Sequence, residues 1–307
     1  MRFVPLLILC LTPLLAACNS NNRDNALTKA AEKVSAPDRE VSDVVEGTVK
    51  SADGTRIAFS RTGEGPALII VGGALTHRAI AGAEPLVAEL AKHFTVYTYD
   101  RRGRGESTDV KPYAVDREIE DIKALVQYAG GTAMLYGVSS GAALSMRAAV
   151  KLGPGAVTRL ALYEPPFGHE AFAEQKQRIE ELVKTGAPGD AAEYFLTGIG
   201  MPREALDEMK RSGKWEAIAK IDFTLAYDFE VLGDGKIPSV VARSIPVPTL
   251  VMNGDKSMAF MQPTADEIAK LVPVAERKTL EGQTHQADAK VVAPILIEFF
   301  TRPKNAV

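Results

Sequence analysis

The pentapeptide Gly137-Val138-Ser139-Ser140-Gly141 is the segment that points most directly to chemistry. An apolar, strand-like run, residues 132–136, precedes it, and an alanine-rich helical run, residues 142–152, follows it. A G-x-S-x-G sequence between a strand and a helix predicts a sharp turn, in which the middle serine has a strained backbone and the glycines avoid collisions. Ser139 is therefore the candidate nucleophile. Ser140, at the start of the helix, would offer its backbone N–H to the same place.

A histidine suited to work with this serine stands in the segment Glu281-Gly282-Gln283-Thr284-His285-Gln286. A serine hydroxyl is a poor nucleophile at neutral pH and needs an imidazole to take its proton. The segment follows a strand-like run, residues 277–280, and precedes an apolar helical run, residues 291–300. His285 would then lie in a loop at the carboxyl end of a last strand, and it is the candidate general base.

A carboxylate must also hold the imidazole in the required tautomer. Residues 248–252 predict another short apolar strand, and Asn253-Gly254-Asp255 follows it directly. Asp255 would therefore occupy the next loop along the same edge of a parallel sheet. The chain order serine, acid, histidine is typical of a triad supplied by three loops of one such sheet. Asp255 is the candidate acid.

These features resemble the α/β-hydrolase superfamily, in particular its single-domain serine hydrolases with a helical cap. Two further segments carry the resemblance. Gly72-Gly73-Ala74-Leu75 follows the strand-like run 67–71, where the family often has His-Gly and then the residue whose N–H completes the oxyanion hole. Asp100-Arg101-Arg102-Gly103-Arg104-Gly105-Glu106-Ser107 is close to the family's D-x-R-G-x-G-x-S turn. The resemblance covers residues 47–303 and implies Ala74 and Ser140 as the oxyanion donors, although glycine replaces the usual histidine at position 72.

The resemblance leaves one alternative for the acid. Glu164 ends the strand-like run 158–163, directly before Pro165-Pro166, and some α/β hydrolases take their triad acid from that loop. Asp255 is preferred because it occupies the family's default position and fits the chain order.

The pattern along the chain predicts an α/β fold. Asp53-Gly54 indicates a hairpin between two opening strands, and six later apolar runs alternate with helical stretches, which favours a mainly parallel twisted sheet with helices on both faces. In residues 116–129 an apolar stripe lies on one helix face, with Glu118 and Asp121 mostly opposite. The alternation stops between about 165 and 244. We therefore expect an α/β-hydrolase core, residues 47–164 and 245–307, with a helical cap, residues 165–244.

The N-terminus resembles a bacterial lipoprotein signal peptide. A short positive start and an apolar run, residues 4–14, lead to Leu15-Ala16-Ala17-Cys18, a close match to the lipobox. The resemblance implies removal of residues 1–17 and lipidation of Cys18, and the polar composition of the chain after this cysteine predicts a flexible tether, residues 18–46. Asn19 rather than aspartate after the cysteine favours the outer membrane over inner-membrane retention. The enzyme would then lie in the cell envelope, anchored by lipid, with its domain in the periplasm or at the cell surface.

Composition and charge limit the possible partners. The 307 residues are 46% hydrophobic and 24% charged, with a formal net charge of −3, so one sizeable core is expected and nucleic-acid binding is not. The basic cluster Arg101, Arg102 and Arg104 is interpreted as turn residues that pair with nearby acids: Asp100, Glu106 or Asp109. Four widely spaced histidines give no metal-binding pattern, and no metal or cofactor is expected.

The family resemblance implies hydrolysis of an ester-like bond of a small molecule, in a carboxylic ester, thioester, lactone or amide, through an acyl-enzyme on Ser139. Two alternatives remain open. The same fold and triad serve in C–C bond hydrolysis, perhydrolysis and acyl transfer. The other alternative is a non-catalytic lipoprotein that uses the cleft for binding.

Overall fold

The computed structural model of the protein describes residues 44–78 and 83–303. Within these residues eight strands form one sheet in the order β1-β2-β4-β3-β5-β6-β7-β8. β1 and β2 run antiparallel to their neighbours, and the pairs from β4 to β8 are parallel. The strands are β1 Val45–Lys50, β2 Arg56–Thr62, β3 Ala67–Val71, β4 Thr95–Tyr99, β5 Ala133–Val138, β6 Val157–Tyr163, β7 Thr249–Gly254 and β8 Ala275–Leu280.

Helices connect the parallel strands. In chain order they are α1 Glu84–Leu90, α2 Val115–Tyr128, α3 Ser140–Leu152, α4 Phe172–Thr185, α5 Asp190–Gly198, α6 Arg203–Arg211, α7 Lys214–Ile221, α8 Leu225–Leu232, α9 Ser239–Arg243, α10 Met261–Leu271 and α11 Ala289–Thr301. A short 3-10 turn, Asp222–Thr224, joins α7 to α8. The segment from α4 to α9 lies between β6 and β7 in sequence, where the cap was predicted.

Buried side chains on both faces of the sheet form the core. Successive residues of a strand point to opposite faces, and in β3 the residues Ile69 and Val71 belong to one apolar cluster while Leu68 and Ile70 belong to another. The first cluster includes side chains of α2 and α3, and the second includes side chains of α1 and α11. Helices therefore cover both faces, and the predicted α/β-hydrolase fold is confirmed.

The opening hairpin also agrees with its sequence signal. β1 pairs with β2 in antiparallel register, with Lys50 opposite Arg56 at the turn. Inside the turn the Thr55 N–H donates to Asp53 Oδ1 at 2.9 Å, and Gly54 has a φ of +91°. A positive φ costs glycine little, which explains the Asp-Gly pair at this position.

The arginines of the basic cluster have other ion-pair partners than the sequence predicts. Arg101, Arg102 and Arg104 are 2% exposed or less, and their partners are not the nearby acids that were expected. Arg101 binds Glu118 with two hydrogen bonds of 2.6 and 2.7 Å, and Arg102 binds Asp121 with two of 2.7 and 2.8 Å. The prediction that these two acids lie mostly opposite the apolar face of α2 is therefore wrong. Each can be buried because a guanidinium group satisfies it.

The predicted leader, residues 1–17, Cys18 and most of the predicted tether lie outside the described residues. The predicted tether extends to residue 46, whereas β1 already begins at Val45, so this boundary is wrong by two residues. No helix in the described part of the chain combines the length and apolarity needed to cross a bilayer.

Candidate active site

Ser139 lies in a strained turn between β5 and α3. Its φ is +56° and its ψ is −128°, a conformation that non-glycine residues rarely adopt and that costs about 1–3 kcal/mol. A Cβ atom on Gly137 would lie 2.6 Å from the Ala142 Cα, and one on Gly141 would lie 2.2 Å from the Val71 carbonyl oxygen. Only glycine therefore fits at these two positions, for the reason that the sequence pattern predicts.

The loop after β3 passes beside this turn. A Cβ atom on Gly73 would lie 2.9 Å from the Ser139 Cβ and 3.5 Å from its Oγ. Ala74, one predicted oxyanion donor, is the next residue in this loop, and Ser140, the other, is the first residue of α3 and directly follows Ser139. The side chain of Ser139 remains partly exposed.

His285 lies in the loop between β8 and α11, as expected. Two contacts to the loop residues before it hold this loop against neighbouring strands. The Lys256 N–H donates to the Gln283 carbonyl at 2.9 Å, and the Tyr163 hydroxyl donates to the Thr284 carbonyl. Burial, and then the charge of Glu164, raise the pKa of Tyr163, so its phenol keeps the proton that it donates.

The carboxylate in contact with His285 is that of Glu164. Its Oε2 lies 2.5 Å from His285 Nδ1 and also accepts a hydrogen bond of 2.7 Å from the Ser257 hydroxyl. Its Oε1 accepts from the Gly254 N–H at 2.8 Å. Glu164 is completely buried and has a φ of +50°. Three donors thus hold a carboxylate that has no exposed surface, in a direction set by an unusual backbone conformation.

Asp255 does not occupy the predicted place beside His285. Its side chain is 31% exposed and pairs with Lys256 at 3.6 Å. Pairing with β8 continues through this residue, because the Asp255 N–H donates to the Leu280 carbonyl at 3.1 Å. The N–H of Gly254, one residue earlier, binds Glu164 instead. The loop after β7 therefore supports the carboxylate of Glu164 and does not supply the one that contacts the histidine.

A buried ionic network beneath the turn was missed by sequence reasoning. Asp228 of α8 accepts from Arg101 through Oδ1 and from Arg104 through Oδ2, both at 2.6 Å. The Ser140 hydroxyl also donates to Asp228 Oδ1 at 2.7 Å, so this hydroxyl is part of the network. The available signal was an aspartate inside the apolar helix sequence Leu225–Leu232 together with three arginines in one turn.

In the described residues no group of three or more histidine, cysteine, aspartate or glutamate side chains could hold a metal ion.

Comparison with known proteins places the chain in a family. The family model for the alpha/beta hydrolase family matches residues 67–294, and the chain belongs to this family. An alpha/beta hydrolase from Sphaerobacter thermophilus DSM 20745 is 46% identical, with a TM-score of 0.75 over 83% of this chain and 100% of its own. The protein is therefore a hydrolase, which favours an enzyme over the non-catalytic alternative.

Two more distant structures share the fold. An esterase from Rhodococcus sp. ECU1013 is 18% identical, with a TM-score of 0.65 over 83% of this chain and 98% of its own. A 2-hydroxy-6-oxo-6-phenylhexa-2,4-dienoate hydrolase from Rhodococcus sp. strain RHA1 is 20% identical, with a TM-score of 0.61 over 86% of this chain and 100% of its own.

Proposed function

We propose that the protein is a serine hydrolase that cleaves an ester-like bond of a small molecule through a Ser139–His285–Glu164 triad. The observation that carries the proposal is the 2.5 Å contact between His285 Nδ1 and a fully buried carboxylate, on the same sheet edge as the strained serine turn. A carboxylate on Nδ1 keeps the proton on that nitrogen and leaves Nε2 free to act as a base. Glu164 replaces Asp255 in this role.

The reaction proceeds in two acyl-transfer steps. Ser139 Oγ attacks the substrate carbonyl carbon while His285 Nε2 takes the hydroxyl proton, and the resulting oxyanion accepts hydrogen bonds from the N–H groups of Ser140 and Ala74. The intermediate collapses as the imidazolium protonates the leaving alcohol, thiol or amine. Water, deprotonated by the same imidazole, then attacks the acyl-enzyme and releases the acid and the free serine.

C–C bond hydrolysis is the second candidate, because one structure with the same fold is named for hydrolysis of a dienoate. The same triad serves perhydrolysis and acyl transfer, and the fold does not separate these reactions.

A paired substrate panel tests the proposal. Purified protein is assayed with p-nitrophenyl esters of two to twelve acyl carbons and, in parallel, with a vinylogous 1,5-diketone, and active serine is titrated with a fluorophosphonate. We expect ester turnover and one equivalent of label per chain. Turnover of the diketone alone favours C–C hydrolysis. A wild-type protein that neither turns over any substrate nor takes up the label contradicts the serine-hydrolase proposal.

We also propose that the enzyme is a lipoprotein of the bacterial cell envelope, lipidated on Cys18 and carried to the outer membrane. The support is the sequence Leu15-Ala16-Ala17-Cys18 with Asn19 after it, which resembles a lipobox. Three acyl chains exceed the two hydrophobic signals that stable anchoring needs, at about 0.8 kcal/mol per buried CH₂.

We therefore expect Cys18→Ser to shift the protein out of the detergent-extracted membrane fraction or to leave it as unprocessed precursor. A version of the chain that begins at Val41 is expected to be soluble and as active on water-soluble esters as the full protein. The direct measurement is the intact mass of the wild-type protein after expression in a bacterial host. A mature protein without the mass of lipid on Cys18 would contradict lipidation and leave a secreted hydrolase.

A further inference from the structure

The peptide that joins Gly73 to Ala74 is held from its carbonyl side. The Gly73 oxygen accepts a hydrogen bond of 2.6 Å from Arg104 Nη1 and another of 2.7 Å from the Thr76 hydroxyl. In a trans peptide the C=O and the following N–H share one plane and point in opposite directions. Two donors on this oxygen therefore fix the direction of the Ala74 N–H, the proposed oxyanion donor.

The donor at 2.6 Å is a buried cation. The side chain of Arg104 is 1% exposed, and its Nε atom donates to Thr224 Oγ1 at 3.1 Å. A positive charge on a carbonyl oxygen draws electron density out of the peptide and makes its N–H a stronger donor, an effect that low-dielectric surroundings enhance. The same contact thus orients the peptide and polarises it.

Asp228 connects this arginine to the other oxyanion donor. It binds Arg104 through Oδ2, and it accepts from the Ser140 hydroxyl through Oδ1. Burial alone would raise the pKa of Asp228, but Arg104, Arg101 and the Ser140 hydroxyl outweigh it and hold that pKa below its usual range. One ionised side chain from α8 is therefore in contact with Ser140 and, through Arg104, with the Gly73–Ala74 peptide.

We propose that Arg104 and Asp228 are positioning residues that set the direction and donor strength of the oxyanion hole. The inference rests on the proposed acyl-transfer function. It differs from a purely structural role, because the network binds the carbonyl of the Gly73–Ala74 peptide and the side chain of Ser140, the second proposed donor residue. In addition, Arg104 fills a position in the turn where the family pattern D-x-R-G-x-G-x-S specifies no residue. The matching arginine of that pattern is Arg102, which binds Asp121, Asp53 and the Arg117 carbonyl instead.

Arg102 gives a matched control. It belongs to the same turn, is also fully buried and also loses an ion pair when it is replaced by glutamine. We expect Arg104→Gln to lower kcat about 10- to 100-fold, below the 100- to 1,000-fold typical of a removed oxyanion donor, because the Ala74 N–H remains but is no longer held. Arg102→Gln is expected to lower the melting temperature and to keep kcat within about threefold, because none of its three partners belongs to the oxyanion loop or to α8.

The binding of a transition-state analogue distinguishes a positioning role of Arg104 from general damage to the active site. A trifluoromethyl ketone forms an oxyanion with the serine, whereas an ether of the same shape has no carbonyl. We expect the Ki of the ketone to rise in Arg104→Gln by the same factor as kcat falls, with the Ki of the ether unchanged. The proposal would be overturned if the Ki of the ketone and the Ki of the ether rose equally, or if Arg102→Gln lost as much kcat as Arg104→Gln.

Two further variants cover the case in which Arg104→Gln does not fold. The double variant Arg104→Gln/Asp228→Asn removes one positive and one negative charge, so that Arg101 keeps its partner Glu118 and no charge is left unpaired. Thr76→Val removes the other donor from the Gly73 oxygen without changing a charge, and we expect it to lower kcat about 3- to 10-fold. Unchanged kcat and ketone binding in the folded variants refute the positioning role. The fluorophosphonate label separates the two proposals. An inactive, unlabelled wild type contradicts both the serine-hydrolase function and the positioning role. An active, labelled wild type whose variants keep the wild-type kcat and ketone Ki contradicts only the positioning role.

Discussion

Ser139→Ala is expected to abolish both ester hydrolysis and fluorophosphonate labelling, with a loss in kcat of about 10⁴-fold or more. The hydroxyl is the only group that the substitution removes, and the reaction has no acyl-enzyme without it. The measurement is kcat on the best p-nitrophenyl ester, with mass analysis of the labelled peptide. The fold should survive, because the side chain of Ser139 is partly exposed and alanine tolerates the turn about as well as serine.

Ser140→Ala is the neighbouring control. Its backbone N–H remains in place, and only the hydroxyl that binds Asp228 is lost. This variant should still take up one equivalent of label. If Ser139→Ala kept wild-type turnover, or if the label were found on another residue, the nucleophile would be assigned incorrectly.

Glu164→Gln is expected to lower kcat about 10³- to 10⁴-fold, whereas Asp255→Asn is expected to change it less than about threefold. The amide oxygen of a glutamine at position 164 would accept from the Gly254 N–H, where Oε1 accepts now. Its NH₂ group would then face His285 Nδ1, which would have to accept that hydrogen bond. The imidazole proton would move to Nε2, and the base would be lost.

The two substitutions make the same chemical change, from carboxylate to amide, in neighbouring loops. Melting temperatures should be compared first, because Glu164 is completely buried and Asp255 is 31% exposed in its side chain. A dependence of kcat on pH in Glu164→Gln that no longer resembles the wild-type profile would support the tautomer explanation. The reverse ranking, with Asp255→Asn the slower enzyme, would return the acid to the loop after β7.

Local patterns predicted the serine turn and the histidine loop well. The conformation of Ser139 depends on the glycines within two residues of it, and the loop of His285 follows an apolar strand and precedes an apolar helix, so neighbours in sequence determine both. The sheet could be predicted for the same reason, since each buried strand is a short apolar run.

The acid could not be chosen from chain order. Glu164 and Asp255 both stand between the serine and the histidine in sequence, and both lie at carboxyl ends of adjacent strands, β6 and β7. The choice depends on which residue has the backbone direction to reach the imidazole, and for Glu164 that direction comes from a positive φ. Nothing in its neighbours Tyr163 and Pro165 specifies such a conformation.

The ionic network around Asp228 could not be predicted from the sequence either, because its members come from distant segments of the chain. Asp228 lies 124 residues from Arg104 and 88 from Ser140 in sequence. Charged residues in a turn and on a helix face are usually exposed, and only the folded arrangement shows that they satisfy one another. Sequence patterns report local periodicity and cannot report a pairing of this kind.

The position of Asp228 limits how freely the segment between β6 and β7 can be exchanged among relatives. This aspartate lies in α8 of that segment, yet it neutralises arginines that belong to the turn after β4. A transplanted segment without an acid at this place would leave two guanidinium groups in the interior with Glu118 alone, and removal of one partner of a buried pair costs about 3–5 kcal/mol. Chimeras made to change substrate range would therefore have to carry Asp228, Arg101 and Arg104 together.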